Sequence, residues 1–153
     1  MNNTPWFSSI TAAPTRVIES SLWINTENPQ NIEQSVSLNI ETGNSPLQED
    51  HDHSRYSTDI NLSLNIECAD SSDASVPRAR FKVKLCSKLS IPLSEKNNMT
   101  DRKIREVTIS LLYPQAQSYI RILSGMGGYG ELNMPILDVD ALLDIIETPG
   151  FSK

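Results

Sequence analysis

Two short stretches of this sequence hold residue types that could do chemistry. The first is an acidic run that contains both histidines of the chain, Glu49-Asp50-His51-Asp52-His53. Imidazole and carboxylate groups are competent ligands for divalent metal ions. All of these residues lie in one predicted loop, however, and no distant Cys or His is spaced to complete a tetrahedral shell. We therefore interpret the run as an ordinary charged loop and expect no bound metal.

The second stretch is a glycine cluster, Gly125-Met126-Gly127-Gly128-Tyr129-Gly130, which satisfies the pattern G-x-G-x-x-G. In a dinucleotide site this pattern follows a strand and opens a helix, so that the pyrophosphate meets helix N–H groups. Here a helical pattern precedes the glycines, and an extended segment containing Pro135 follows them. We interpret the cluster as a connection between helices and expect no nucleotide cofactor.

No other arrangement of residues predicts catalysis. Acid–base or triad chemistry that uses histidine has only the two histidines of the acidic run to draw on. Carboxylates are plentiful, but no pattern pairs two of them in a dry cleft. Cys68 and Cys86 lack the spacing of a redox or metal motif, so two reduced thiols are the simplest interpretation. We expect that the protein is not an enzyme.

The composition narrows the class of partner. The chain has 153 residues, a net charge of −6 and a pI near 4.8. Nucleic-acid binding needs clustered Lys and Arg against the phosphates, and this acidic balance argues against it. The N-terminal residues lack the basic start of a secretory signal, and no run approaches the ~18 apolar residues of a membrane span. We expect one cytoplasmic domain with no membrane contact.

Alternating apolar and polar residues predict strands over 15–24, 36–40, 60–66 and 81–91. In the first of them, Ile18, Leu22 and Ile24 share the phase that should face the core. The fourth carries lysines on its polar face, Lys82, Lys84 and Lys88, which we interpret as a solvated sheet face or a local basic patch. One apolar and one polar face per strand is typical of an antiparallel sheet.

A long helical pattern begins at Asp101, with apolar residues three and four positions apart. Pro114 interrupts it, so we expect a kinked helix or two pieces. The glycine cluster ends it. A second helix begins with Asp138 as its N-cap and ends before Pro149.

Strands followed by helices indicate an α+β fold rather than βαβ units. The predicted architecture is a four-stranded antiparallel sheet with two C-terminal helices packed on one face. We expect this single domain to span residues 15–147, between a flexible N-terminal arm at 1–14 and a C-terminal tail at 148–153.

Three motifs in the last third of the chain match one known family. They are Leu111-Leu112-Tyr113-Pro114-Gln115-Ala116-Gln117, Leu132-Asn133-Met134 and Asp140-Ala141-Leu142. They resemble the aromatic-Pro-Tyr-Ala-Arg, Leu-Asn-Leu and Asp-Ala-Leu segments of the SecB family of protein-export chaperones. The resemblance implies the same sheet and helices, assembled as a homotetramer that is a dimer of dimers.

The resemblance also implies a function: ATP-independent holding of unfolded polypeptides in an apolar groove, with no cofactor. Such a groove would lie between the second helix, its extended linker and the crossover after the first strand. The candidate client-binding residues are Trp23, Ile32, Tyr129, Leu132, Met134, Leu142 and Ile146. Packing in the core or in an oligomer interface is the alternative for each, and for Leu142 and Ile146 it is the preferred one.

In the export chaperones, acidic residues on the outer face of the sheet dock the translocase motor SecA. At the corresponding positions this chain has Ser21, Asn25 and Lys82. A lysine in place of a carboxylate reverses the local potential, which argues against SecA docking. Some SecB-like proteins instead hold the unstable antitoxin of a toxin–antitoxin system, and a dedicated partner of this kind is the alternative function.

Overall fold

Residues 10–24, 34–50, 54–70, 73–126 and 138–147 are described by this computed structural model. Their alternating pattern makes most of them strands: β1 (Thr11–Ala12), β2 (Arg16–Ile24), β3 (Gln34–Asn44), β4 (Gln48–Glu49), β5 (Arg55–Asp70) and β6 (Asp73–Pro92). A 3₁₀ helix (Leu93–Asn98), a long helix α1 (Asp101–Met126) and a short helix α2 (Val139–Glu147) follow.

The strands form one antiparallel sheet in the order β2-β6-β5-β3, with β1 also beside β6 and β4 also beside β5. β1 and β2 pair with different ends of β6, since Thr11 lies opposite Ser90 and Ile24 lies opposite Ala79. The predicted α+β class and the antiparallel sheet are confirmed. The described residues form six strands rather than four, because the two-residue strands β1 and β4 extend the pairing.

One face of the sheet, here called the inner face, is buried beneath α1. Every second residue of β5 lies in the core: Ile60, Leu62, Leu64, Ile66 and Cys68. β6 contributes Phe81, Val83, Leu85, Leu89 and Ile91 to the same core. The helix side of this core is formed by Ile104, Val107, Ile109, Leu112, Ala116 and Ile120. The opposite, outer face carries the polar residues of the alternation.

The strand predicted first is β2, but a β-bulge changes which of its side chains face the core. The pairing with β6 shifts between Val17 and Glu19, so Ile18 is the extra residue. Ile18 is 57% exposed. Of the three residues predicted to face inward, only Leu22 and Ile24 pack against the core. The prediction for Ile18 is therefore wrong, because a bulge reverses the phase of the alternation.

Helix α1 runs unbroken from Asp101 to Met126 with Pro114 inside it, so the two-piece alternative is wrong. A proline in a helix leaves the carbonyl four residues earlier without its N–H donor and crowds it. That carbonyl belongs to Ser110, and both Ser110 and Pro114 are exposed. Water can therefore satisfy the carbonyl, and the core on the other side of the helix is not disturbed.

Helix α2 begins as the sequence predicts. The Ala141 N–H donates to the Asp138 carboxylate (Oδ1, 3.1 Å), so Asp138 is the N-cap. Leu143 is fully buried in the core, and Arg102 of α1 reaches Asp144 of α2 (N···O 2.8 Å). Helix α2 is thus held by apolar packing centred on Leu143 and by an ion pair to α1.

Part of the predicted N-terminal arm lies on the sheet: Thr11–Ala12 form β1, and Ile10 packs against the core. Residues 1–9 and the predicted tail at 148–153 lie outside the described residues, so the domain boundaries stay predictions. Within the part of the chain that the structure describes, no helix is long and apolar enough to cross a membrane.

Candidate functional site

The structure describes the side chains of two of the residues predicted to line the client groove. Trp23 lies near the end of β2, on the outer face of the sheet, and Leu142 lies on α2. Ile146 is within α2, but its side chain is outside the described part of the chain, as are Ile32, Tyr129, Leu132 and Met134. The groove as a whole therefore stays a prediction.

Leu142 is partly buried and packs against the core. Its neighbour Leu143 is fully buried and supplies the deeper contact. Packing, the preferred alternative for Leu142, accounts for the buried part of this side chain. Its remaining surface is available to a second chain.

Trp23 has a more exposed position. Its side chain is 44% exposed. Arg80 is its partner across β2 and β6, and the Arg80 guanidinium lies over the indole ring, 5.3 Å from the ring centroid. A cation on the face of an indole is attracted by the ring quadrupole. The pair holds Trp23 on the sheet surface with much of its ring open to contact.

Trp23 and Arg80 belong to a shallow depression that crosses the outer face, here called the outer trough. Two cross-strand rows of side chains form its walls, each with one residue from β2, β6, β5 and β3. The first row is Trp23, Arg80, Glu67 and Ser37. The second row is Ser21, Lys82, Asn65 and Asn39. The trough has a volume of about 480 Å³.

Between the two rows lie Leu22, Phe81, Ile66 and Leu38, which also line the trough. Successive side chains of a strand point to opposite faces, so these four direct theirs to the core. They contribute backbone to the floor of the trough. The surface is therefore polar at its walls, with one aromatic ring at the β2 end.

Two ion pairs set the charge of this region. Lys82 contacts Glu19 (N···O 2.8 Å), and Arg80 contacts Glu67 at 3.7 Å. The hydrogen bond from Lys82, and then its charge, lower the pKa of Glu19, and the same interactions raise the pKa of Lys82. All four side chains are about half exposed, so solvent screens both pairs.

The other stretches singled out in the sequence give no site in the described part of the chain. His51 and His53 lie outside it, and no group of three His, Cys, Asp or Glu among the described residues is placed to hold a metal ion. Gly125 and Met126 form the end of α1, and the remaining glycines of the cluster lie beyond the described residues. Cys68 and Cys86 are thiols, not a disulfide.

Sequence reasoning placed Lys82, Lys84 and Lys88 on the polar face of one strand, and the structure agrees. It missed Arg80 and Glu67, the two residues beside Trp23. Arg80 has the same period-two phase as the lysines, so the alternation alone could have placed it on the same polar face. Glu67 could have been placed opposite only with the strand register.

An antiparallel sheet in this order, with a long helix on its inner face and a short helix packed beside it, is a fold that this chain shares with a SecB-like chaperone of known structure. The chain matches the Mycobacterium tuberculosis SecB-like chaperone Rv1957, whose structure contains a ChAD peptide from the Rv1956 HigA1 antitoxin. The TM-score is 0.66, with 13% identity over 86% of this chain and 93% of that chain.

A protein of unknown function from Streptococcus agalactiae has the same fold, with a TM-score of 0.54 and 8% identity over 83% of this chain and 97% of that chain. No protein-family model and no curated protein sequence matches the chain. At these identities the likeness establishes the fold, in agreement with the resemblance of the C-terminal motifs.

Proposed function

We propose that this protein is an ATP-independent chaperone, a holdase that binds unfolded or non-native polypeptides and catalyses no reaction. The observation that carries the proposal is the likeness of its fold to Rv1957, a SecB-like chaperone whose structure contains an antitoxin peptide. The C-terminal motifs support it from the sequence, because they resemble segments of the SecB family within both helices and in the stretch between them.

Exposed apolar side chains are the means by which such a protein holds a client. Among the described residues, Ile122 and Met126 are 60% and 82% exposed at the end of α1. They directly precede the segment that contains the predicted groove residues Tyr129, Leu132 and Met134. Each Å² of apolar surface removed from water contributes ~25 cal/mol, so many weak contacts give affinity without sequence specificity. Because only unfolded chains expose such surface, binding delays folding by mass action.

Light scattering of a chemically denatured client, diluted into buffer without nucleotide, tests the proposal. We expect the purified chain to suppress aggregation at a stoichiometric amount. The variant Leu132→Asp/Met134→Asp should suppress it less, because carboxylates in the groove oppose apolar contact. Lys88→Gln, on the outer face, serves as the matched control. Undiminished aggregation in the presence of the wild-type protein would refute the holdase.

A dedicated partner is the second candidate function, and one observation favours it: the peptide seen with Rv1957 comes from an antitoxin. In this version the groove guards one unstable protein and not many clients. Affinity capture from the native host separates the two. One dominant co-purifying protein supports the dedicated role, and a broad set of unfolded proteins supports the general holdase.

We propose that the chaperone works without the SecA motor. Ser21 and Lys82, two of the positions that correspond to the docking carboxylates of the export chaperones, lie opposite each other in the outer trough. Asn25, the third, lies outside the described residues. Sedimentation of the purified chain with SecA should give no complex, and a complex of micromolar affinity would contradict this part of the proposal.

We also propose that the protein is a homotetramer, a dimer of dimers. β2 is an edge strand, since among the described strands it pairs only with β6. An open edge with exposed apolar residues is a surface on which a second copy can add its own strand. Val17 and Ile18 of β2 are 47% and 57% exposed and supply such residues.

A further inference from the structure

We propose that the outer trough is a second peptide-binding site, which takes a short extended segment with an acidic residue next to an aromatic one. It is separate from the client groove in chemistry, because its walls are polar and charged. The inference does not depend on the holdase function. It rests on the positions of Trp23, Arg80 and Lys82. It also rests on the weakness of the ion pairs that Arg80 and Lys82 form with Glu67 and Glu19.

The trough has two cations, Arg80 in one wall and Lys82 in the other. Arg80 and Lys82 are two residues apart on β6, so their Cα atoms are separated by ~6.6 Å along the strand. A ligand carboxylate above the backbone of Phe81, the residue between them, would be within reach of both of these long side chains. Guanidinium binds carboxylate through two parallel hydrogen bonds, and an ammonium adds a point charge, so the two together select an anion.

The present partners of these cations are easily exchanged. Glu67 approaches Arg80 only to 3.7 Å, with both side chains 59% exposed. Glu19 is closer to Lys82, at 2.8 Å, but this pair is also about half exposed. Exposed ion pairs contribute little to stability. Replacing one exposed carboxylate by another from a ligand therefore costs little.

The rest of the trough determines the class of ligand. Trp23 lies at the β2 end, beside Arg80, and offers an aromatic surface for a neighbouring aromatic side chain. Asn65 and Asn39 lie on the far side of Lys82, and their amides can both donate to and accept from a peptide backbone. Four strands at ~4.8 Å spacing give a length of ~14 Å, which fits about four extended residues.

A titration with two blocked peptides tests the inference. The probe is acetyl-Ser-Phe-Glu-Asp-Ser-amide, and its control has Gln-Asn in place of Glu-Asp. Trp6→Phe leaves Trp23 as the only tryptophan of the chain, so that indole fluorescence reports on the trough. We expect the acidic peptide to bind on the order of tenfold more tightly than the amide peptide, the effect of a charged hydrogen bond.

Variants then locate the site. Arg80→Gln/Lys82→Gln should weaken the acidic peptide by about tenfold or more, whereas Glu67→Gln should strengthen it by removing a competitor for Arg80. Lys88→Gln, on the same strand and face but outside the trough, should bind as the wild type does. Aggregation suppression by the single variant Lys82→Gln, which leaves the contact between Arg80 and Trp23 intact, should be unchanged, and this separates the site from the holdase. Trp23 is left intact because it is also a predicted groove residue.

Backbone chemical shifts provide a second measurement that does not rely on a variant. Shifts caused by the acidic peptide should concentrate at residues 21–23, 37–39, 65–67 and 80–82. Equal affinity for the acidic and amide peptides would overturn the inference. So would unchanged affinity of Arg80→Gln/Lys82→Gln, or shifts that fall elsewhere on the protein.

Discussion

Glu19 and Lys82 show how single residues balance charge on the outer face. Their carboxylate and ammonium lie 2.8 Å apart, and each shifts the pKa of the other in the direction that favours its charged form. The pair is about half exposed, so its contribution to stability is small and screened by salt. The two pKa shifts nonetheless define the direction in which this contribution changes with pH.

The stabilisation from this pair should depend on pH in a predictable direction. The folded-state pKa of Glu19 is lowered, so its contribution is present above the unfolded pKa and is lost as pH falls through the folded one. The folded-state pKa of Lys82 is raised, so its contribution is lost only as pH rises through that value. A double-mutant cycle with Glu19→Gln and Lys82→Gln, measured by urea unfolding, should give a favourable coupling energy at neutral pH and none in acid.

Zero coupling at neutral pH and low ionic strength would contradict this prediction, and so would a coupling that survives protonation of Glu19. A cycle between Glu19 and Lys88 is the matched control. Lys88 lies farther along the same strand, opposite Asp59 and not Glu19. Its coupling to Glu19 should be near zero at every pH.

The candidate site could be predicted only in part because residue type reveals chemistry but not register. The polar phase of Lys82, Lys84 and Lys88 follows from alternation alone. Which residues of other strands stand opposite them does not, because a bulge at Ile18 resets the pairing of β2. Trp23 is therefore predicted as a contact residue from its type, while its cross-strand partner Arg80 is not predicted at all.

At the scale of elements, helix α2 depends on its cap. Asp138 accepts the N–H of Ala141 at 3.1 Å and so satisfies one of the amides that a helix start leaves without a partner. Asp138→Ala should lower the free energy of unfolding by about 1 kcal/mol, whereas Asp138→Asn should retain most of it. Urea unfolding measures both. Hydrogen exchange at the Ala141 amide should accelerate in Asp138→Ala only, and equal losses in the two variants would mean that charge and not capping is responsible.

In helix α1 a substitution is expected to increase the stability of the protein. Pro114 lies at an exposed position inside it. Replacing it by alanine restores a backbone hydrogen bond and removes the crowding of the Ser110 carbonyl. Pro114→Ala should therefore stabilise the protein by about 1–3 kcal/mol. A proline in a helix interior costs ~3 kcal/mol, and only part of this is offset because proline also lowers the conformational entropy of the unfolded chain.

Ser118→Ala, at an exposed position one turn later, is the control for helix propensity alone and should gain only about 0.5 kcal/mol. Thermal unfolding of both variants gives the comparison. A loss of stability in Pro114→Ala would show that the proline serves the helix, for example through a contact with a second copy of the chain.

Elements with strong periodicity were predicted well and their ends poorly. β5 and β6 were recognised from their buried phase, yet they extend beyond the predicted ranges 60–66 and 81–91, since β5 continues to Asp70 and β6 begins at Asp73. Ladder hydrogen bonds to a neighbouring strand override weak local propensity. The 3₁₀ helix at Leu93–Asn98 was missed because one or two turns leave no periodic signal.

At the scale of the whole molecule, the core leaves the β2 edge of the sheet open, and β3, the other edge strand, likewise contributes only partly buried residues. Core side chains come from β5, β6, α1 and Leu143 of α2, whereas β2 contributes only partly buried residues. β2 is thus held by its pairing with β6, by the packing of Leu22 and Ile24, and by a hydrogen bond from the Tyr119 hydroxyl to Ser20 (3.0 Å). The fold was predictable from the sequence, but whether a second copy covers the open edge was not, because the type of an exposed residue does not identify its partner.

The bulge makes a sharp test of that assembly possible. Ile18 is 57% exposed because the bulge turns it out of the core, so a charge at this position does not disturb the packing of the protomer. If a second copy adds its strand along β2, a carboxylate there would lose its water and face its own symmetry mate, which is unfavourable. Ile18→Glu should therefore reduce the mass measured by light scattering after size exclusion, from that of a tetramer to that of a dimer or monomer, with the far-ultraviolet circular dichroism unchanged.

Leu93→Glu, which places the same charge at a residue that is 52% exposed in the 3₁₀ helix, should leave the mass unchanged. A wild-type protein that is monomeric, or an Ile18→Glu variant that keeps the wild-type mass, would show that the β2 edge does not form the interface.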